Sequence, residues 1–123
     1  MLEAIQHTKR SPIRFHFLEN PDPHAWHNVS SQLSPESTLV CLVTKSGTTF
    51  ETLALGLVAL EWLGKHYPSH VITITDPQKG DLRKFTNDYN LESLSIHPSI
   101  GGRFSVFSPV GLFPLALSGF DLS

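Results

Sequence analysis

Residues 39–63 read Leu39-Val40-Cys41-Leu42-Val43, then Thr44-Lys45-Ser46-Gly47-Thr48-Thr49, then the run FETLALGLVALEWL from Phe50. Five consecutive apolar residues describe a strand buried on both faces, the pattern that parallel sheets produce. The six residues after it form a polar loop. From Phe50 onward, Leu53, Leu57 and Leu60 fall on one helical face with Ala54 and Val58 beside them, and Gly64 supplies a C-terminal stop. Strand, loop and amphipathic helix in that order open a β-α-β unit.

The flanks repeat the alternation. Residues 71–75 (VITIT) form a second strand rich in β-branched side chains. Asp76-Pro77 starts a turn, a polar helix follows over 79–89, and residues 91–96 make a last short strand. The chain then passes SIGGR (99–103) into a final apolar helix ending near Ser118, which Ser105 can cap. Upstream, residues 13–18 (IRFHFL) look like a strand closed by Glu19-Asn20-Pro21-Asp22-Pro23. Asp22 caps a helix with Pro23 at its first position, running through Trp26, Val29 and Leu33. Ser34-Pro35-Glu36-Ser37 ends that helix. The expectation is an α/β domain with a mainly parallel sheet and right-handed crossovers.

Composition narrows the function classes. The 123 residues carry nine Lys+Arg against eleven Asp+Glu, and 40% are hydrophobic. That is an ordinary globular domain, with no basic excess to neutralise phosphates, so a nucleic-acid partner is not expected. The single cysteine, Cys41, rules out an internal disulfide and fits a reducing compartment. Its place in the apolar run marks it as a buried, inert thiol. Residues 1–12 lack the apolar core of a signal peptide. The stretch 104–117 is broken by Pro109, Gly111 and Pro114 and falls short of the roughly 20 residues a membrane span needs. It reads as a buried core helix, with no membrane partner and a cytoplasmic address expected.

Two loops concentrate chemistry. Thr44-Lys45-Ser46-Gly47-Thr48-Thr49 follows a strand and precedes a helix, placing it at the carboxyl end of the sheet, where open α/β folds bind ligands. Four hydroxyls, the Lys45 ammonium, Gly47 and the N–H groups of a helix start suit an anion, and a phosphate monoester fits best. The plainer alternative is equally open: Ser46 or Thr49 merely caps the helix, with Glu51 in its first turn. The Gly-x-x-x-x-Gly-Lys-Ser/Thr order of a nucleotide-binding loop is missing. The second loop is Gly101-Gly102-Arg103-Phe104-Ser105. Its two glycines permit tight backbone geometry near a ligand, and Arg103 can offer its fork to a charged or hydroxyl-rich substrate. Taken alone it reads more simply as a turn with a surface arginine. His24 and His27, and His66 and His70, have ligand-like spacings. No cysteine or carboxylate cluster accompanies them, and Pro68 interrupts any helix joining the second pair, so solvated histidines are the favoured reading over a metal site. Glu19, Asp22 and Asp76 read as turn and cap residues. No cofactor is called for.

Together the two loops resemble the glucose-6-phosphate isomerase family. Thr44-Lys45-Ser46-Gly47-Thr48-Thr49-Phe50-Glu51-Thr52 is similar to the family's Ser-Lys-Ser/Thr-Gly-Thr-Thr-x-Glu-Thr phosphate loop. Gly101 to Ser105 is similar to its Gly-Gly-Arg-Phe/Tyr-Ser signature. Residues 106–121 and 15–23 also resemble family segments, so the match is colinear over nearly the whole chain. The resemblance implies that residues 1–123 are part of a sugar isomerase (SIS) domain, a three-layer α/β/α fold. It implies interconversion of glucose 6-phosphate and fructose 6-phosphate through an enediolate, as in glycolysis and gluconeogenesis. Thr44, Lys45, Ser46 and Thr49 would hold the phosphate, with Thr44 standing where serine is usual. Gly47, Thr48 and Glu51 would support them. Arg103 would stabilise the enediolate, helped by the Gly101 and Gly102 backbone.

The departures are as informative. Family members are several times longer and hold two such domains. The glycine-rich loop before their second strand is absent here, and so is the strand leading into it. The glutamate base, the ring-opening histidine and a late lysine fall beyond residue 123, and Glu92 and His97 stand in the wrong place to replace them. In the family's sheet the missing first strand lies between the second and third, so its loss leaves a gap with unpaired backbone groups. The expectation is a fragment, inactive alone, completed by the rest of the enzyme, with a homodimer in the full-length family. The other possibilities are a non-catalytic phosphosugar-binding or regulatory module, or an inactive remnant.

Overall fold

A computed structural model describes residues 12–45 and 50–122. In chain order these form α1 (Pro23–Ser30), β1 (Val40–Val43), α2 (Phe50–Leu63), a one-turn α3 (Tyr67–His70), β2 (Val71–Thr75), α4 (Asp81–Asp88), β3 (Glu92–Ser95) and α5 (Pro109–Leu117). Tight 3-10 turns occupy Pro35–Ser37, Gly64–His66 and Gly102–Phe107. The three strands form one sheet in the order β1-β2-β3. Both pairings are parallel, with Val43 opposite Ile74 and Thr75 opposite Ser95. All three strands therefore end on the same edge.

The core lies between the sheet and the helices that return the chain. Leu42, Leu60, Leu63, Val71, Leu82, Phe85 and Leu91 form one buried cluster, which places α2 and α4 on the same face. Burying each such side chain contributes roughly 1.5–3 kcal/mol. Gly56 sets the approach of α2: a Cβ there would stand 2.9 Å from Leu42 Cδ1 and 3.5 Å from Phe85 Cζ. On the same face the Thr73 and Thr86 hydroxyls lie 2.8 Å apart, joining β2 to α4. Asp22 Oδ1 accepts from the His24 N–H at 2.9 Å, with Pro23 at the first helical position. Trp26 meets Trp62 edge-on at 5.9 Å, docking α1 on α2. Gly64, at φ +54°, ends α2 in the left-handed conformation that glycine adopts freely.

Several sequence expectations need correcting. α1 stops at Ser30 and does not reach Leu33. Residues 13–18 form no strand, and Phe17 is 66% exposed. A strand needs a ladder partner, and none among the described residues lies beside this segment. The same shortage governs β1. Among the described residues it pairs with β2 alone, and on the face away from Leu42 both Cys41 and Val43 are exposed, so the strand is not buried on both faces. Cys41 is thus not a buried thiol, although desolvation by its apolar neighbours pushes it up to about 11. Residues 104–117 are not one core helix. Residues 102–107 form a surface 3-10 turn with Phe104 and Phe107 75% and 84% exposed. The N-cap of α5 is Ser108, whose Oγ accepts from Val110 N at 3.3 Å, while Ser105 Oγ donates to the Gly102 carbonyl at 2.7 Å. Pro68 does not separate His66 from His70. It sits in the first turn of α3, where a missing N–H costs nothing, and the rings meet edge-on at 5.5 Å.

Candidate functional site

Parallel strands root both candidate loops at the same end of the sheet. The chain leaves the carboxyl end of β1 at Thr44 and enters α2 at Phe50. It leaves the carboxyl end of β3 at Ile96 and turns through His97 and Ser99 toward Gly101. The ladder runs on beyond the strands at both points: Thr44 N–H donates to the Ile74 carbonyl at 3.1 Å, and Ile96 N–H donates to the Thr75 carbonyl at 2.8 Å. These bonds fix the roots of both loops to the central strand. The helix that starts after the first loop directs its positive dipole end toward the same edge.

Of the first loop, Thr44 is buried, Lys45 is half-buried and Glu51 is exposed in the first turn of α2. Ser46, Gly47, Thr48 and Thr49 lie outside the described residues. In the second loop Gly101, Gly102 and Arg103 are all exposed. Neither glycine has a positive φ, so backbone conformation does not require them. Gly102 instead leaves open space: a Cβ there would meet nothing within 4 Å, whereas one on Gly101 would lie 3.3 Å from Phe104 Cδ2. The side chains of Lys45 and Arg103 make no hydrogen bond or ion pair among the described residues. Lys45, just past the carboxyl end of β1, is an unengaged cation there, and such a charge suits an anion.

Asp76, Arg83 and His97, near this edge, are committed to structure. Asp76 Oδ1 accepts from the N–H groups of Gln78 at 2.8 Å and Lys79 at 2.9 Å. Those two bonds, the Gln78 one foremost, hold its carboxyl below the usual carboxylate range. Arg83 braces the same turn, donating from Nε to the Asp76 carbonyl at 2.9 Å and from a terminal nitrogen to Ser93 Oγ at 2.9 Å. His97 Nδ1 lies 2.6 Å from Ser99 Oγ. Among the described residues no three of His, Cys, Asp and Glu gather as a metal site, and no helix is long and apolar enough to cross a membrane.

One residue of this edge escapes sequence reasoning. Thr75 closes β2 fully buried, and its Oγ1 has no hydrogen-bond partner. The signal is faint: VITIT puts Thr73 and Thr75 on one face of a buried strand, but threonine there reads simply as a β-former.

Comparison with known proteins places this geometry in context. The phosphoglucose isomerase family model matches residues 1–122. A glucose-6-phosphate isomerase of Thermus thermophilus is 44% identical over 116 residues, which cover 91% of this chain and 28% of that protein. One from Rubrobacter xylanophilus is 44% identical over 118 residues, covering 92% and 27%. Among solved structures, a hypothetical protein from Thermus thermophilus superposes with TM-score 0.88 and 42% identity, over 98% of this chain and 30% of that one. A glucose-6-phosphate isomerase from Chlamydia trachomatis gives TM-score 0.72 and 33% identity, over 92% and 22%. The chain thus spans about 28% of the length of the Thermus relative.

Proposed function

The chain belongs to the phosphoglucose isomerase family, and from that premise we propose that it is the phosphate-gripping part of a glucose-6-phosphate isomerase. The observation that carries the proposal is the shared carboxyl edge. Thr44 and Lys45 leave it after β1, the Gly101-Gly102-Arg103 turn is reached from it after β3, and the side chains of Lys45 and Arg103 remain unengaged among the described residues. We read residues 1–123 as part of one SIS domain, of three-layer α/β/α type.

Within this reading Thr44, Lys45, Ser46 and Thr49 hold the sugar phosphate, supported by Gly47, Thr48 and Glu51. Arg103 stands near C1 and C2, with the bare backbone of Gly101 and Gly102 beside it. Isomerisation moves a proton between those carbons through an enediolate, and a fixed guanidinium stabilises the charge that develops on its oxygens. The proton transfer needs a base within hydrogen-bond reach. Asp76, the carboxylate at the end of β2, has Oδ1 committed to its own turn. The family resemblance, in which the glutamate base falls beyond residue 123, assigns the base to the remainder of the enzyme, and this chain alone is expected to turn over negligibly. The working form is the complete enzyme, a cytoplasmic homodimer.

NMR titration of the labelled chain with fructose 6-phosphate, against inorganic sulfate, tests the reading. Saturable shifts at Thr44, Lys45 and Arg103 that the sugar phosphate produces and sulfate does not are the expected result. Dispersed spectra indifferent to the sugar phosphate would remove the site. Isomerase activity in the purified chain, abolished by Arg103→Ala, would overturn the assignment of the base to another part.

A further inference from the structure

Thr75 poses a physical question. A buried hydroxyl without a partner costs about 1–3 kcal/mol relative to one that is satisfied. A valine would fill the same strand position, with the same branching and no such cost. Thr75 is 0% exposed and its Oγ1 is unpartnered, while Thr73, two residues earlier on the same face, has its hydroxyl paired with Thr86.

The register says what lies next to it. Val43 is opposite Ile74, and Thr44 N–H continues that ladder to the Ile74 carbonyl, so Thr44 stands opposite Thr75 on the last rung. Directly opposed residues in a parallel pair share a face, and neighbouring strands are about 4.8 Å apart. Thr44 and Thr75 are therefore neighbours at the carboxyl edge, on the face that α2 covers, with no hydrogen bond reaching the Thr75 hydroxyl. Each hydroxyl has one proton to donate and two lone pairs to accept with.

We propose that Thr75 is a positioning residue of the anion site, acting through Thr44. When a phosphate binds, Thr44 turns its O–H to a phosphate oxygen, and Thr75 donates its own proton to the Thr44 oxygen. The first bond polarises the second, so the Thr44 hydroxyl is both better oriented and a stronger donor. The inference rests on the sugar-phosphate reading above.

Thr75→Val, Thr75→Ser, Thr44→Val and the Thr44/Thr75 double valine variant test it, with fructose 6-phosphate affinity and thermal midpoint measured for each. Thr75→Val is expected to weaken binding about fivefold while the midpoint stays level or rises by a few degrees, because the orphan hydroxyl is gone. Thr75→Ser restores the affinity, and in the Thr44→Val background Thr75→Val costs no further affinity. Thr75→Val binding like wild type overturns the proposal. So does weaker binding that Thr75→Ser fails to rescue, or that accompanies a fall in midpoint. A wild-type chain that binds neither fructose 6-phosphate nor inorganic phosphate overturns the functional reading together with this one.

Discussion

Gly111 lies so close to Val106 that a Cβ on it would overlap the Val106 carbonyl oxygen. The contact locks the first turn of α5 onto the 3-10 turn that carries Arg103. Backbone cannot step aside as a side-chain tip can. Gly111→Ala is therefore expected to destabilise the chain by about 3 kcal/mol or more. Urea unfolding reads this directly, and a midpoint equal to wild type would mean the joint is not packed as described. Gly56→Ala is the contrast. Its clash is with the end of Leu42, which can rotate, and alanine gains about 1 kcal/mol in a helix interior. That variant should stay within about 1 kcal/mol of wild type.

Asp76 gives a pH-dependent prediction. Its carboxyl sits below the ordinary value of 3.8 because the Gln78 and Lys79 N–H groups favour the charged form. A lowered carboxylate contributes stability that is complete above the unfolded value and is lost as pH falls through the folded one. Asp76→Asn should therefore have a lower thermal midpoint than wild type at pH 7. The difference should close progressively below pH 3.8. A gap that persists unchanged to acid pH would show that the charge of Asp76 is not what favours the turn.

The legible and illegible parts divide along physical lines. Residues 71–75 are legible to the residue, because a β-branched run between His70 and Asp76 has one reading. The position of β1 is legible within one residue, but its burial is not. An apolar run reports the environment a strand is built for, and among the described residues β1 has a neighbour on one side only. The choice between Ser105 and Ser108 as the cap of α5 is decidable from sequence, since Pro109 belongs at the first helical position. The departure of the two candidate loops from the carboxyl ends of β1 and β3 is legible. The orphan hydroxyl of Thr75 is not, because an unpaired hydroxyl is a property of three-dimensional neighbours.

Cys41 illustrates exposure without reactivity. Its side chain reaches solvent on the face of β1 opposite Leu42, yet desolvation raises the thiol from 9.0 to about 11. Only the thiolate attacks. A rise of that size reduces the thiolate about a hundredfold, and the greater nucleophilicity of a more basic sulfur recovers about tenfold of that. Alkylation by iodoacetamide at pH 8 should thus run about tenfold slower than for free cysteine, and should climb steadily toward pH 11. A rate matching free cysteine at pH 8 would contradict the desolvated environment.

Lys45 and Arg103 should separate the two ends of the ligand. Under the proposed function Lys45 faces the phosphate, a group that fructose 6-phosphate and inorganic phosphate share. Arg103 faces the sugar carbons, which only one of them has. Removing a charged hydrogen-bond donor typically costs 1.5–3 kcal/mol, about ten- to a hundredfold in affinity. Lys45→Ala should therefore weaken both ligands by roughly the same factor, about tenfold, and the loss should shrink as salt screens the half-buried ammonium. Arg103→Ala should weaken fructose 6-phosphate and leave inorganic phosphate nearly untouched. Calorimetric titrations of both variants with both ligands decide the matter. Equal losses for the two ligands in Arg103→Ala would move Arg103 from the sugar to the phosphate and leave the enediolate without its assigned partner in this chain.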